Sequence, residues 1–108
     1  MELQQNGRLS LLISAASLAA PLTASAACGA TACEGTIETI YYPESGTIYV
    51  GTDGDETALN CNAVAGVYVT IPQTNPNQKA LYATALTAKV AGEKIVVRIK
   101  EGSSNCEL

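Results

Sequence analysis

Residues 78–100, QKALYATALTAKVAGEKIVVRIK, decide the fold. The first part is rich in alanine, leucine, lysine and threonine, contains no glycine or proline, and predicts a helix from about Asn77 to Ala91. Thr74-Asn75-Pro76-Asn77 supplies a loop with two candidate caps before it, and Gly92 closes it. From Glu93 to Lys100 the period changes to two. Ile95, Val97 and Ile99 point one way, and Val96, Arg98 and Lys100 the other, which predicts a half-buried strand. A single helix returning into a strand demands a β-rich partner to bury both apolar faces.

That partner is legible upstream. Gly35 to Tyr42 is rich in threonine, isoleucine and tyrosine and stops at Pro43, and Thr47 to Gly51 is a second β-type run. Pro43-Glu44-Ser45-Gly46 between them has turn chemistry, so the two read as a hairpin. Ile37 and Ile40 fall on opposite faces under strict alternation, which calls for a bulge or for a strand covered on both sides. Thr52-Asp53-Gly54-Asp55-Glu56 reads as a solvated polar loop. Gly66 to Ile71 alternates, with Val67, Val69 and Ile71 on one side and Tyr68 and Thr70 on the other, and Pro72 ends it. The expected fold is mainly β: a small OB-like barrel of order β-β-β-α-β with one helix, stapled by disulfides.

The amino-terminal segment sets the compartment. An apolar run of about 14 residues, Leu9 to Leu22, is shorter than the roughly 20 that a membrane-spanning helix needs. Ala24-Ser25-Ala26 follows it. Residues 1–26 therefore read as a secretory signal peptide and 27–108 as one exported domain. A lipoprotein signal acylated at Cys28 would want leucine where Ser25 stands, and would leave an odd number of cysteines. An exported domain of 82 residues needs staples. Its four cysteines allow three pairings, of which Cys28 with Cys33 and Cys61 with Cys106 is favoured. The competing zinc reading lacks both a C-x-x-C pair and a histidine.

After residue 26 the chain carries five basic residues against nine acidic, and every lysine and arginine lies at or beyond Lys79. An acidic chain without a basic cluster is poorly suited to nucleic acid or anionic lipid. The acidic first half reads either as a solvated edge or as a flank that meets a basic flank of a neighbouring subunit.

Ala80-Leu81-Tyr82, Leu86-Thr87-Ala88, Gly92 and the strand after it, together with Cys61 and Cys106, give residues 35–106 a further meaning. The chain resembles the small exported bacterial OB-fold proteins that include the receptor-binding B subunits of pentameric toxins of the subtilase-cytotoxin and typhoid-toxin type. The resemblance implies an OB barrel tied by Cys61 and Cys106, bacterial export and a ring of subunits packed through the helix, and its toxin relatives bind host glycans. The family pattern continues past the late cysteine into a final strand, whereas Leu108 here follows Cys106 by two residues, so either an open barrel with an unpaired edge or a truncated chain is expected.

Candidate site residues follow from side-chain direction. The helix carries two apolar stripes: Tyr82, Leu86 and Val90, and, well separated, Leu81, Ala85 and Ala88. One suffices for a monomer, which makes Leu81, Ala85 and Ala88 candidates for an oligomer contact. Tyr49 and Tyr68 point away from the apolar faces of their strands and form a candidate aromatic platform for sugar or peptide, which Tyr41 and Tyr42 next to Pro43 extend. Asp53, Asp55 and Glu56 lack the spacing of a calcium loop and the rigidity of a paired-carboxylate site. Without histidine a serine or cysteine triad cannot be built, and no S-x-x-K occurs. The expectation is a non-enzymatic binding protein without cofactor or metal. The contrasting expectation is a monomeric periplasmic protein acting through an exposed strand edge.

Overall fold

The computed structural model describes residues 26–108. The proposed signal peptide, apart from Ala26, lies outside the described residues. Among the described residues six strands and one helix run in the order β1 (Ala27–Cys28), β2 (Ala32–Gly35), β3 (Ile37–Tyr41), β4 (Ile48–Thr52), β5 (Val69–Ile71), α1 (Gln78–Ala91) and β6 (Ile95–Arg98), with an isolated carboxy-terminal bridge at Glu107. The sheets are three-stranded, β1-β2-β6 and β3-β4-β5, each antiparallel throughout.

The two sheets share one polypeptide path, because β2 and β3 are separated only by Thr36. Their junction is held by a reciprocal pair: Thr36 N–H donates to Asp53 Oδ1 at 2.9 Å, and Asp53 N–H donates to the Thr36 carbonyl at 3.1 Å. Between Ile37 and Thr39 the register slips. The bulge resets the alternation, which is how Ile37 is buried while Ile40 also packs against the core. Ile48, Val50, Val69, Ile71, Val97 and Ile99 complete that core from both sheets.

On the far side of β5 the carboxy-terminal segment runs alongside in parallel, with Thr70 bridging to Glu107. Thr70 N–H donates to the Cys106 carbonyl at 2.9 Å, Leu108 N–H returns a bond to Thr70, and Lys100 N–H donates to the Glu107 carbonyl at 2.8 Å. The tail thus laces one sheet toward the other without closing them: β6 ends one sheet and β3 the other. Both disulfides have the favoured pairing, Cys28–Cys33 and Cys61–Cys106. A chain with all four cysteines oxidised belongs in an oxidising, extracytoplasmic environment, and no helix among the described residues is long and apolar enough to cross a membrane.

The helix begins without a side-chain cap at Asn77; instead Asn75 Oδ1 accepts the Asn77 N–H at 2.8 Å. Gln78 Nε2 reaches the Gly46 carbonyl at 2.8 Å and the Ile71 carbonyl at 3.0 Å, pinning the first turn to the hairpin and to β5. At the other end Gly92, at φ +67°, donates to Lys89, and Glu93 N–H donates to Ala88.

Three expectations need correction. The strand drawn from Gly66 contracts to Val69–Ile71 because Ala65 and Gly66 both take positive φ in a tight turn, and Val67 is left 48% exposed instead of joining Val69 and Ile71. The order gains β1 and β2, short alanine- and glycine-containing strands that pairing across Cys28–Cys33 makes stable. The third concerns the helix. Ala85 and Ala88 are each only 6% exposed and Leu81 is half-buried against the core, so these three side chains are largely taken up by the chain's own fold and offer little area to a neighbour. Their small size lets the helix lie close to the sheets. The large apolar side chains α1 exposes are Leu86 and Val90.

Candidate functional site

Three tyrosines line one outer face of the β3-β4-β5 sheet. Tyr41 and Tyr49 are directly paired across β3 and β4, with ring centroids 5.6 Å apart in an edge arrangement. Tyr49 and Tyr68 lie 5.8 Å apart, tilted by 32°. Such spacings are those of mutually supporting aromatic pairs. Tyr68 reaches this position because Gly51 has no side chain: a Cβ there would stand 3.4 Å from two Tyr68 ring carbons and 3.3 Å from the Val67 carbonyl oxygen. Tyr41 is exposed, while Tyr49 and Tyr68 are half-buried.

Tyr42 does not join this strip. Its ring packs edge-on against Tyr82 of α1 at 6.3 Å, so alternation along the strand sends it to the helix side. Tyr41, its neighbour in sequence, supplies the third ring.

Past Tyr68 the strip opens into a pocket of about 280 Å³ at the end of β4. Glu38 stands at the bulge, Asp53 and Glu56 follow β4, and Thr39, Thr52 and Tyr68 complete the wall. Glu56 is the residue that pattern reading missed. Expected in a solvated loop, it is 2% exposed. Its Oε2 accepts the Thr52 N–H at 2.6 Å and the Thr52 hydroxyl at 2.7 Å. A one-turn 3₁₀ helix, Glu56–Ala58, turns the side chain inward, with Asp55 as its cap. The signal in the sequence was Asp55 followed two residues later by Thr57, an Asx-type turn that starts such a helix.

Asp55 points outward. The Thr57 hydroxyl first and the Thr57 N–H second hold its carboxyl below its ordinary 3.8, against a small desolvation in the opposite sense. For a depressed carboxyl the stabilisation is complete above the unfolded value and is lost as pH falls through the folded one. A carbon-detected NMR titration is expected to place the Asp55 midpoint below 3.8, and Thr57→Val to move it upward. A wild-type midpoint at 3.8 or higher would mean the cap is not formed in solution.

Among the described residues no group of three or more histidine, cysteine, aspartate or glutamate side chains is arranged to hold a metal ion. A separate apolar groove of about 270 Å³ lies between α1 and β6, lined by Val50, Leu81, Ala85, Val97 and Leu108 among others.

Comparison with known proteins returns no matching family model, no similar curated protein and no similar solved structure. The site must therefore be interpreted from its own chemistry.

Proposed function

We propose that the protein is an exported, non-enzymatic binding module whose ligand is a glycan lying along Tyr41, Tyr49 and Tyr68, in an OB-like barrel that works as a homo-oligomer. The observation that carries the reading is the continuous tyrosine strip ending in a polar pocket: flat rings with hydroxyl tips offer apolar faces to sugar C–H groups, and the carboxylates and threonines beyond them accept and donate to hydroxyls. The barrel reading is supported by the strand path shared between the sheets and by the parallel tail beside β5. The oligomeric part draws on Leu86 and Val90, which α1 leaves exposed.

A glycan array probed with the oxidised protein tests the reading. Tyr68→Ala and Tyr49→Ala are each expected to weaken the bound glycan by about tenfold or more, equivalent to about 1.4 kcal/mol. Tyr42→Ala, on the helix side, is expected to leave affinity unchanged. A blank array removes the glycan reading, and native mass spectrometry showing a monomer removes the ring. The second reading, a monomer that binds a protein partner by strand addition, is favoured by β6 standing at the end of its sheet beside the apolar groove.

A further inference from the structure

β6 pairs with β2 along one side and ends its sheet on the other. In an antiparallel pair only alternate residues exchange hydrogen bonds, and those between them direct their main-chain groups the opposite way. Ile99 N–H donates to the Thr31 carbonyl at 3.0 Å, so Val97 and Ile95 are the bonded positions toward β2. Ala32, opposite Arg98, confirms the alternation, because its carbonyl accepts the Gly29 N–H on the β1 side. Val96 and Arg98 therefore turn their N–H and carbonyl groups to the free edge, where they meet no partner among the described residues. Lys100 N–H, next in the same series, is already used: it donates to the Glu107 carbonyl of the tail at 2.8 Å. The apolar groove continues from there, lined by Leu108 and by Leu81 and Ala85 of α1 along the length of β6. The end strand of the other sheet is protected differently, since Lys89 Nζ donates to the Glu38 carbonyl of β3 at 3.0 Å.

An extended segment matches both features, its main chain meeting the edge and its alternate side chains the groove. Residues set opposite Ile95 and Val97 would turn into the groove, and those opposite Val96 and Arg98 would turn outward. Outward lie exposed cations: Lys100, and Arg98, whose guanidinium bonds only to the Thr31 hydroxyl at 3.3 Å among the described residues. Charge also rules on a second copy. Every antiparallel register that pairs Val96 or Arg98 with their counterparts in another β6 sets Lys94 opposite Arg98 or Lys100, or Arg98 opposite itself, and like charges in such pairs repel. We infer that the free edge of β6 binds an antiparallel segment of a partner protein, apolar at the positions facing the groove and acidic at the outward positions opposite Val96 and Arg98. This inference rests on the strand-addition reading above and is separate from the tyrosine strip, none of whose rings lines the groove.

Fluorescence anisotropy with the labelled peptide Thr-Val-Glu-Val-Glu-Val-Thr, and with its counterpart carrying lysine for glutamate, tests it on the oxidised protein. The acidic peptide is expected to bind about tenfold or more tightly than the basic one, with an advantage that shrinks as salt rises from about 50 mM to about 300 mM. Arg98→Glu is expected to reverse the preference. N-methylation of the peptide's glutamates, whose N–H groups would meet the Val96 and Arg98 carbonyls, is expected to abolish binding without any change to the protein. Val96→Pro, which removes only the outward N–H, is expected to weaken it as well. Equal affinity for the two peptides overturns the inference and leaves strand addition standing. Binding of neither, or binding that survives N-methylation, overturns both. A dimer in native mass spectra that Val96→Pro dissociates would show a second copy on this edge and overturn the inference.

Discussion

Replacing Cys61 and Cys106 with serine is expected to leave the protein unfolded at about 37 °C, whereas replacing Cys28 and Cys33 is expected to give a folded domain with a lowered denaturation midpoint. The two bridges differ in what they close. Cys61–Cys106 spans 45 positions and Cys28–Cys33 spans 5, which on the chain-entropy estimate corresponds to about 4 and about 2 kcal/mol respectively. A domain near 80 residues has only about 4–12 kcal/mol in total, so the longer bridge is comparable to the whole margin. Its position adds to this. Cys106 is fully buried, and its carbonyl accepts the Thr70 N–H, so releasing it frees the tail that lies beside β5. Urea titrations of the two double variants, followed by circular dichroism, check the ranking. Equal losses would show that loop length does not govern stability here, and a larger loss from Cys28 and Cys33 would reverse the assignment of the main staple.

Much of the architecture was legible because period and punctuation agreed. Gly92 separates a helical period from a strand period, and the structure places α1 and β6 on either side of it with Val97 and Ile99 inward. Pro43 and Gly46 marked the β3–β4 turn, closed by a Gly46 N–H bond to the Pro43 carbonyl at 3.1 Å. The failures have equally physical causes. β1 and β2 have little intrinsic strand preference, and pairing with β6 and a disulfide, both long-range facts about the molecule, makes them strands. Val67 looked like a core residue because alternation was extended through Gly66, where the chain in fact reverses direction. On the helix, the stripe of Leu81, Ala85 and Ala88 was read as a second, spare apolar face, yet small side chains are what a closely packed face requires.

The candidate site was half legible. Tyr49 and Tyr68 could be placed on an outward face from the alternation of their strands, but the ring-to-ring path through Tyr41 depended on cross-strand register, which one sequence does not display. Register also explains Tyr42: adjacent residues in a strand face opposite ways, so only one of Tyr41 and Tyr42 could ever have joined Tyr49. The acidic loop was misread for a different reason. Charge density suggests solvent, and the inward turn of Glu56 is produced by local main-chain geometry that begins at Asp55.

Glu56→Ala is accordingly expected to cost about 2–3 kcal/mol of stability, an unusual amount for a residue in a loop of acids. Thr52 is itself buried, and the substitution strips its N–H and its hydroxyl of their shared acceptor at once. Each stranded donor costs about 1–3 kcal/mol, and relief from holding a buried carboxylate returns part of the sum. The Thr52 hydroxyl also accepts the Gly54 N–H at 3.1 Å, so the disturbance passes along the loop toward Cys28, whose sulfur lies beside Gly54. Glu56→Gln keeps an acceptor for Thr52 and is expected to lose no more than half as much. A cycle that pairs Glu56→Ala with Thr52→Val isolates the contact. The hydroxyl share should appear as a coupling of about 1 kcal/mol, since removing either partner leaves the other unmatched. Additive losses in that cycle would mean that Glu56 stabilises the loop by filling space, and the hydrogen-bond account of its burial would fall.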